Sequence, residues 1–401
     1  MNSTTEEGES GGQAGFVVEL GSLGSYLAQL PDRRCARGKR YALWQVCVLA
    51  VLAKLSGEDH AYGMAQWVQK RAAKLGPLLG LGLRMPCHNT YRRVLGQWVC
   101  TTELEAQVKA FLLAQSAQGG KSVLIAFDGK TLRGTIPTGD SHGVHLLAAY
   151  VPDSGVVLVQ VAMESKENEI VAAPRVLEQL DLREKIVVAD AMHTQRALSA
   201  QVVAAGGDYI WLVKDNQPQL HADIEHLFQP EACIKGFSAL PTDFQTARTF
   251  DKSHGREEER ILTTSSLLLG YLDWPGCAQV FKLERNTRIR ATGKVRHDMF
   301  RHEIVYGITS LNPQQAGPAR LNHAVRSYWQ IENGLHYRRD KTLHEDATRF
   351  NNKTLAQNFA TLNNLVIALA RRTGWRYLPD ARRHFDANLL ETFALLCSAP
   401  T

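Results

Sequence analysis

The sequence predicts a mixed α/β fold, and three observations lead to that prediction. An apolar run with the length of a buried strand comes first. Two further apolar runs follow on either side of Pro152-Asp153-Ser154-Gly155, a turn signal typical of a hairpin. Two later apolar runs each come after a segment with helical spacing, as in a crossover connection. The five predicted strands are 123–127, 145–151, 156–163, 186–189 and 209–213.

The connections between these strands narrow the topology. Residues 168–180 and 194–205 have helical spacing, and Asn168 is a suitable helix N-cap. Three antiparallel strands followed by parallel crossovers form the ribonuclease H-like arrangement, in which the first and fourth strands are neighbours. An ordinary doubly wound sheet fits the early hairpin less well. We therefore expect Asp128 and Asp190, which end those two apolar runs, to lie side by side.

The other regions of the chain are predicted from changes in composition and in the spacing of apolar residues. The start is polar and acidic and lacks the basic and apolar parts of a signal peptide, so we predict a disordered tail. The predicted regions are a tail at 1–18, an N-terminal helical domain at 19–118, the first part of a ribonuclease H-like core at 119–236, a β-rich insertion at 237–310, the second part of the core at 311–375 and a C-terminal helix at 376–401. Short strands are expected at 244–250, 259–265, 279–285 and 303–308, and later helices at 318–338, 355–372 and 387–396.

The length and the net charge of the chain limit the classes of function that it can have. A chain of 401 residues, 44% hydrophobic and 21% charged, is an ordinary globular composition with material for two or three domains. The net charge is +6, and seven Lys or Arg lie between Lys282 and Arg301, with a second basic stretch from Arg326 to Arg383. Such patches fit a polyanionic partner, and a solvated basic face is an equally open interpretation.

Several classes of protein are excluded. Seven cysteines without CxxC spacing favour the reducing cytoplasm over a disulfide framework or a zinc site. The apolar stretch 41–55 is shorter than the ~20 residues of a membrane span, so we predict no membrane contact. Gly119-Gly120-Lys121-Ser122 ends like a phosphate loop, but Gln115 replaces the first glycine and a strand follows, so we predict no nucleotide cofactor.

Three acidic residues form the candidate site. Asp128 and Asp190 follow predicted strands, and Glu332 lies in a helical stretch. A carboxylate at the end of a buried strand is costly unless a cation meets it, and oxygen is the ligand that Mg²⁺ takes. Two Mg²⁺ ions, with Mn²⁺ as an alternative, would clamp the attacking and leaving oxygens of phosphoryl transfer. Either aspartate taken alone could simply cap a turn; the strand order makes the two converge.

The segment Asp128-Gly129-Lys130-Thr131-Leu132-Arg133-Gly134 is similar to a signature of DDE transposases of the H-repeat-associated, ISAs-type insertion-sequence family. Further motifs follow in the family's order, and the resemblance covers roughly residues 25–375. These motifs are Ser165-Lys166-Glu167-Asn168-Glu169-Ile170, Ala189-Asp190-Ala191-Met192-His193-Thr194-Gln195, Lys214-Asp215-Asn216-Gln217, His254-Gly255-Arg256, and Trp329-Gln330-Ile331-Glu332-Asn333 with Leu335-His336.

The resemblance implies a DNA transposase that cuts insertion-sequence ends and joins the freed 3′ hydroxyl to target DNA. It implies Asp128, Asp190 and Glu332 as the catalytic and metal-binding triad, double-stranded DNA as the partner, a homodimer that pairs two ends, and a place at the nucleoid in the cytoplasm. In some related transposases an insertion-domain aromatic holds a flipped base. Trp274 is the candidate for that role, although a core tryptophan is the simpler interpretation.

Cations close to the acids in sequence are predicted to contact DNA phosphates, which supply most of the affinity for DNA. They are Lys130, Arg133, Lys214, Arg326 and Arg339. The helical domain is a candidate for binding DNA ends, because a helix start after Pro86 is followed by Arg92 and Arg93; a plain structural helix is equally open.

One departure from the wider superfamily concerns the residues around the glutamate. The Tyr, Arg and Lys often found there are Val325, Tyr328 and Arg339 in this chain, so hairpin-forming chemistry is not implied. Two alternatives stay open at this point. One is a ribonuclease H-like nuclease without strand transfer, and the other is a domesticated DNA-binding or regulatory protein.

Overall fold

The computed structural model describes residues 19–114, 123–163, 167–229, 243–253, 255–291 and 294–398. The predicted tail at 1–18 lies outside them. The chain divides into two compact units, one formed by 1–116, 350–366 and 377–401 and the other by 117–349 and 367–376. No helix among the described residues is both long and apolar enough to cross a membrane.

The first unit is helical. Its N-terminal part contains helices α1 (Leu23–Ala28), α2 (Leu43–Leu55), α3 (Ala61–Lys70), α4 (Ala72–Leu79), α5 (His88–Arg93) and α6 (Thr101–Ala114). The apolar stretch at its centre is the buried helix α2, whose residues Val46–Ala53 have no exposed surface and which contacts α1 and α3. Burial on all sides explains why this helix is apolar all round rather than amphipathic.

The second unit contains one nine-stranded sheet. Its strands are β1 (Val123–Leu132), β2 (Val144–Val151), β3 (Val156–Ala162), β4 (Lys185–Ala189), β5 (Asp208–Val213), β6 (Gln245–Ser253), β7 (Arg256–Ser265), β8 (Gln279–Ala291) and β9 (Lys294–Thr309). The strand order is β3-β2-β1-β4-β5-β9-β8-β7-β6. β1 is antiparallel to β2 and parallel to β4, so the predicted contact between the first and fourth strands is confirmed, and the core is ribonuclease H-like.

The strands of the predicted insertion extend the core sheet. β9 pairs with β5 in antiparallel orientation, and β8, β7 and β6 follow outward as neighbours. Helices complete the chain: α7 (Glu169–Leu177), α8 (Arg196–Ala204), α9 (Pro218–Leu227), α10 (Pro318–Tyr328), α11 (Lys353–Arg372), α12 (Leu378–Ala387) and α13 (Leu389–Cys397). α10 contacts both the core strands β1 and β4 and the far strands β6 and β7.

The helix expected at 318–338 is shorter in the structure. α10 ends at Tyr328, and two π-helical turns follow at Ile331–His336 and Arg338–Thr342. Gly334, a poor helix former, lies in the first of these turns, where a Cβ atom would stand 2.8 Å from the Tyr150 hydroxyl. The widened turns bring Glu332 and His336 to the sheet, and π-turns of this kind are frequent at functional sites.

Candidate active site

Two aspartates lie side by side where the parallel pairing of β1 and β4 ends. The last register pair of these strands is Phe127 with Ala189, and Asp128 and Asp190 are the next residue on each strand. Because neighbouring strands run ~4.8 Å apart, the two backbones stay adjacent at this point. β1 itself continues to Leu132 on its other edge, where Asp128 pairs with Ala148 of β2.

Glu332 and His336 meet Asp128 at this edge of the sheet. One ligand atom from each of the three side chains lies within 4.8 Å of the other two. Asp128 is partly buried, Glu332 is exposed and His336 is 3% exposed. The His336 Nε2 atom lies 3.5 Å from Asp128 Oδ2. Two carboxylates and an imidazole that face one point form a candidate site for a divalent cation.

His336 is a residue that the sequence prediction missed. Both of its ring nitrogens are buried and lack a hydrogen-bond partner among the described residues, which is costly for a polar group unless a ligand completes it. The signal was the spacing Glu332-x-x-x-His336, since residues four apart lie on one face of a helical turn. A bound metal would complete one of these nitrogens, Nε2, which is the atom near Asp128.

Asp190 does not belong to that group of mutually close ligand atoms. Its Oδ1 atom accepts a 2.7 Å hydrogen bond from the Ala191 backbone and a 3.1 Å bond from Lys214 Nζ. Both charged side chains are about half exposed, and ion pairs of that kind contribute ~1 kcal/mol or less. A divalent cation could therefore compete with Lys214 for this carboxylate at little cost.

Tyr328, at the end of α10, lies close enough to both aspartates for their charges to act on its hydroxyl. It is 5% exposed, and burial together with the charges of Asp128 and Asp190 raises the pKa of its hydroxyl, although the Asp190 backbone bonds to it. The tyrosine therefore stays protonated and neutral. The superfamily's arginine at this position is thus replaced by a group that adds no charge to the site.

A further acidic residue, Glu169, lies beside the site as the first residue of α7. Its Oε1 atom bonds to His145 Nε2 at 2.9 Å, and its Oε2 atom bonds to His193 Nε2 at 3.3 Å. Burial raises the pKa of this carboxyl, but the two histidine bonds outweigh burial and bring the pKa to about 2. Thr131 on β1 contacts the other nitrogen of His145 at 2.8 Å, so the network connects β1, β2 and the segment after β4.

Two positions of the Asp128–Gly134 signature have no room for a side chain, which explains why glycine occupies them. A Cβ atom on Gly129 would stand 2.2 Å from Glu169 Oε1 and 2.4 Å from His145 Nε2. A Cβ atom on Gly134 would stand 1.9 Å from the Thr348 carbonyl oxygen. Only glycine lets β1 approach both the Glu169 network and the chain that follows the glutamate.

Two of the predicted DNA-contacting cations are held inside the protein. Lys130 Nζ lies 2.6 Å from Asp340 Oδ1, and its side chain is 9% exposed. Arg339 has no exposed surface; it bonds to Glu345 at 2.8 Å and to Gln160 on β3 at 3.2 Å. This conformation offers neither group to a DNA phosphate, and both fasten the chain around Glu332 to the sheet.

The other predicted DNA contacts are more accessible. The Arg133 side chain is 77% exposed, Lys214 is 55% exposed, and Arg326 is 46% exposed and pairs with Asp251. Trp274 is partly buried, and its indole N–H donates to Ser199 Oγ at 3.0 Å. The indole thus already has a partner on α8, and a role for Trp274 in holding a base stays a prediction.

Comparisons with known proteins identify the family of the chain. The family model described as transposase DDE domain matches residues 119–369, and the model described as DDE_Tnp_1-associated matches residues 25–112. YncI of Escherichia coli O157:H7, whose name describes it as a candidate transposase, is 28% identical over 88% of each chain. YhhI of Escherichia coli K12, described as an H repeat-associated candidate transposase, is 26% identical over 87% of this chain and 90% of its own.

Two further comparisons add little to the assignment. A Xanthobacter autotrophicus protein, described only as uncharacterized and in the dhlA 3′ region, is 31% identical over 68% of this chain and 90% of its own. A piggyBac transposase synaptic complex with hairpin DNA covers 92% of this chain and 78% of its own at 8% identity, with a TM-score of 0.41. The transposase DDE domain match extends over more than half of the chain, and the chain therefore belongs to the DDE transposase family.

Proposed function

We propose that this chain cuts the ends of an insertion sequence and joins the freed 3′ hydroxyl to target DNA. The observation that supports the proposal most strongly is the convergence of Asp128, Glu332 and His336, with Asp190 beside them in register, in a member of the DDE transposase family. Hydrolysis and strand joining are both in-line displacements at a phosphodiester, so one site serves both steps.

The candidate residues fit a divalent cation. Asp128 and Glu332 supply hard oxygen ligands, His336 supplies an unpartnered nitrogen, and Asp190 would contribute to a second ion. Mg²⁺ is the proposed cofactor and Mn²⁺ the alternative. When bound, such ions activate the attacking oxygen and stabilise charge on the leaving oxygen. The neutral Tyr328 hydroxyl and the Glu169 network would hold the aspartates' strands in position.

Double-stranded DNA is the proposed substrate and partner, and a homodimer that pairs two ends in the cytoplasm, at the nucleoid, is the proposed assembly. Lys214 and Arg133 are the cations near the site that are more than half exposed, and Arg326 is nearly so. We propose phosphate contacts for these three. Lys214 would turn from Asp190 to a phosphate when a cation takes its place on the carboxylate.

The test supplies purified full-length protein with a duplex of the element end that carries a pre-cut 3′ hydroxyl, a plasmid target, and Mg²⁺ or Mn²⁺. Joined product is expected from the wild type. Asp128→Asn, Asp190→Asn and Glu332→Gln should each lower joining by roughly a thousandfold or more, since several kcal/mol of charge stabilisation are lost. End binding without metal should persist.

Asp181→Asn is the matched control, because Asp181 is an exposed acid of the same unit that pairs with Arg183. It should join at the wild-type rate. A triad variant with full joining activity would remove that residue from the site. Cleavage without any joined product would identify a nuclease, and sequence-specific binding with neither product would identify a regulatory DNA-binding protein.

A further inference from the structure

One stretch of the helical unit contains cations but no acidic residue of its own, and among the described residues Arg71 is the one cation of the stretch with an ion pair, to Asp386 at 2.8 Å. Between His60 and Thr102 there are six Lys or Arg and no Asp or Glu, although the whole chain has a net charge of only +6. The cations are Lys70, Arg71, Lys74, Arg84, Arg92 and Arg93. A surface of this composition attracts a polyanion over distances of about a Debye length.

Within this stretch, residues 88–98 form one continuous helical segment, α5 followed by the π-helical turn Val94–Trp98. We call it the reading helix. Tyr91, Val94 and Leu95 face the core and are at most 2% exposed. The opposite face carries Asn89, Arg92, Arg93 and Gln97, all of them exposed. Arg92 and Arg93 follow Asn89 by three and four residues, so all three side chains lie on one side of the helix.

None of these four exposed side chains has an ion pair or a side-chain hydrogen bond within the described part of the chain. Other arginines of the same unit do: Arg33 pairs with Glu103 at 2.6 Å, and Arg34 pairs with Asp32 at 2.8 Å. Arg92 and Arg93 lie in the last turn of α5, where the helix dipole favours cations but supplies no hydrogen-bond acceptor for the guanidinium groups. Their arrangement is explained if a ligand outside the chain supplies the acceptors.

The residue types identify that ligand. Arg donates a bidentate pair to guanine, and Asn and Gln form bidentate pairs with adenine, in the major groove, which at about 12 Å is wide enough for one helix. Lys70 and His88 line an open cleft of about 410 Å³ beside the segment, where a backbone phosphate could lie. We propose that the reading helix enters the major groove of duplex DNA and reads the sequence of the element end. This inference rests on the proposed function, because it names what that function recognises.

The test uses full-length protein in EDTA, so that no strand is cut and the binding result is independent of the joining assay. A random duplex pool is selected on the wild type, and the enriched sequence and a scrambled duplex are then titrated by fluorescence anisotropy. Arg92→Ala and Arg93→Ala should each weaken binding to the enriched sequence by about tenfold or more, and should lower the salt dependence of binding by about one ion.

Arg92→Lys and Arg93→Lys distinguish recognition of the base sequence from charge-based attraction to DNA. Lysine keeps the positive charge but loses the planar fork, so these variants should retain affinity for scrambled DNA and the salt dependence, and lose preference for the enriched sequence by about tenfold. Arg37→Ala, at an exposed cation outside the stretch, is the control and should leave the preference unchanged. An unchanged enriched sequence and preference in the Lys and Ala variants would overturn the inference, whatever the joining assay shows.

Discussion

At the scale of single residues, we expect His336 to influence which metal the candidate site prefers. Carboxylates alone favour Mg²⁺, whereas an imidazole suits transition metals, and Mn²⁺ accepts both kinds of ligand. We expect His336→Ala to weaken Mn²⁺ binding by about tenfold or more and Mg²⁺ binding less, because the lost nitrogen matters more to the softer ion. Electron paramagnetic resonance of free Mn²⁺, with Mg²⁺ competition, measures both affinities.

The control for this variant is His142→Ala, since the His142 side chain is 74% exposed and bonds only near the loop tip. It should bind Mn²⁺ like the wild type. Equal Mn²⁺ affinity in His336→Ala and the wild type would show that His336 is not a ligand and would leave the carboxylates as the whole site.

The lowered pKa of Glu169 predicts how the stability of the fold depends on pH. Its pKa is lowered from 4.5 to about 2, so the folded state holds the carboxylate more tightly in its charged form than the unfolded chain does. The stabilisation is therefore complete above about pH 4.5 and is lost as the pH falls toward 2. A shift of this size corresponds to at most about 3 kcal/mol.

Glu169→Gln removes this contribution. In urea unfolding, the wild type should exceed the variant in free energy of unfolding by a constant amount from pH 7 to pH 5. The difference should shrink below pH 4.5. A difference that stays constant down to pH 3 would contradict a lowered pKa for this carboxyl.

At the scale of elements, a buried ion pair between Arg339 and Glu345 stabilises the segment that follows Glu332 and His336, and Arg339 connects this segment to the sheet. Arg339 and Glu345 are 0% and 3% exposed, and Arg339 also bonds to Gln160 on β3. Removing one partner of a buried pair costs about 3–5 kcal/mol, because the other charge is left in the interior. We expect Arg339→Ala to lower the free energy of unfolding in urea by that amount.

Arg183→Ala is the comparison, because Arg183 pairs with Asp181 at the exposed surface and should leave the free energy of unfolding almost unchanged. A loss of DNA binding in Arg339→Ala should therefore follow the loss of folded protein. If Arg339→Ala kept full stability but lost DNA affinity, Arg339 would be a DNA contact after all.

The elements themselves could largely be predicted from the sequence, since apolar runs and helical spacing are local signals. Adjacency of Asp128 and Asp190 followed from strand order, because a parallel crossover after a hairpin leaves few topologies. The partners of the cations could not be predicted in this way. Lys130 and Asp340 are 210 residues apart, and nothing near Lys130 in sequence indicates that it is buried. His336 was missed because the expectation of Mg²⁺, which takes oxygen ligands, restricted the prediction to acidic residues.

At the scale of the whole catalytic unit, the contacts of α10 indicate that the sheet is curved. α10 has 11 residues and is therefore ~16 Å long, yet it contacts both β1 and β6. Those strands are six positions apart in the sheet, ~29 Å if the sheet were flat. The curved sheet brings its far edge back over the helix that precedes Glu332. We infer that the extension supports the site and is not an independent module.

Asn322 tests this interpretation. It lies on α10, is 2% exposed, accepts a 2.9 Å bond from Arg260 on β7 and donates a 3.1 Å bond to Thr249 on β6. Asn322→Ala leaves the buried Arg260 guanidinium short of an acceptor, which should cost about 3 kcal/mol of stability. Because α10 leads directly to Glu332, Mn²⁺ affinity should fall together with stability, and unfolding in urea should stay a single transition.

The control variant is His323→Ala. His323 is an exposed neighbour on the same helix, so its loss should change neither the stability nor the Mn²⁺ affinity. An independent extension would behave differently. Asn322→Ala would then unfold β6 and β7 in a separate early transition and retain the Mn²⁺ affinity of the wild type. Circular dichroism and Mn²⁺ titration at the same urea concentrations distinguish these outcomes, because a shared curved sheet couples the loss of the far strands to the position of Glu332.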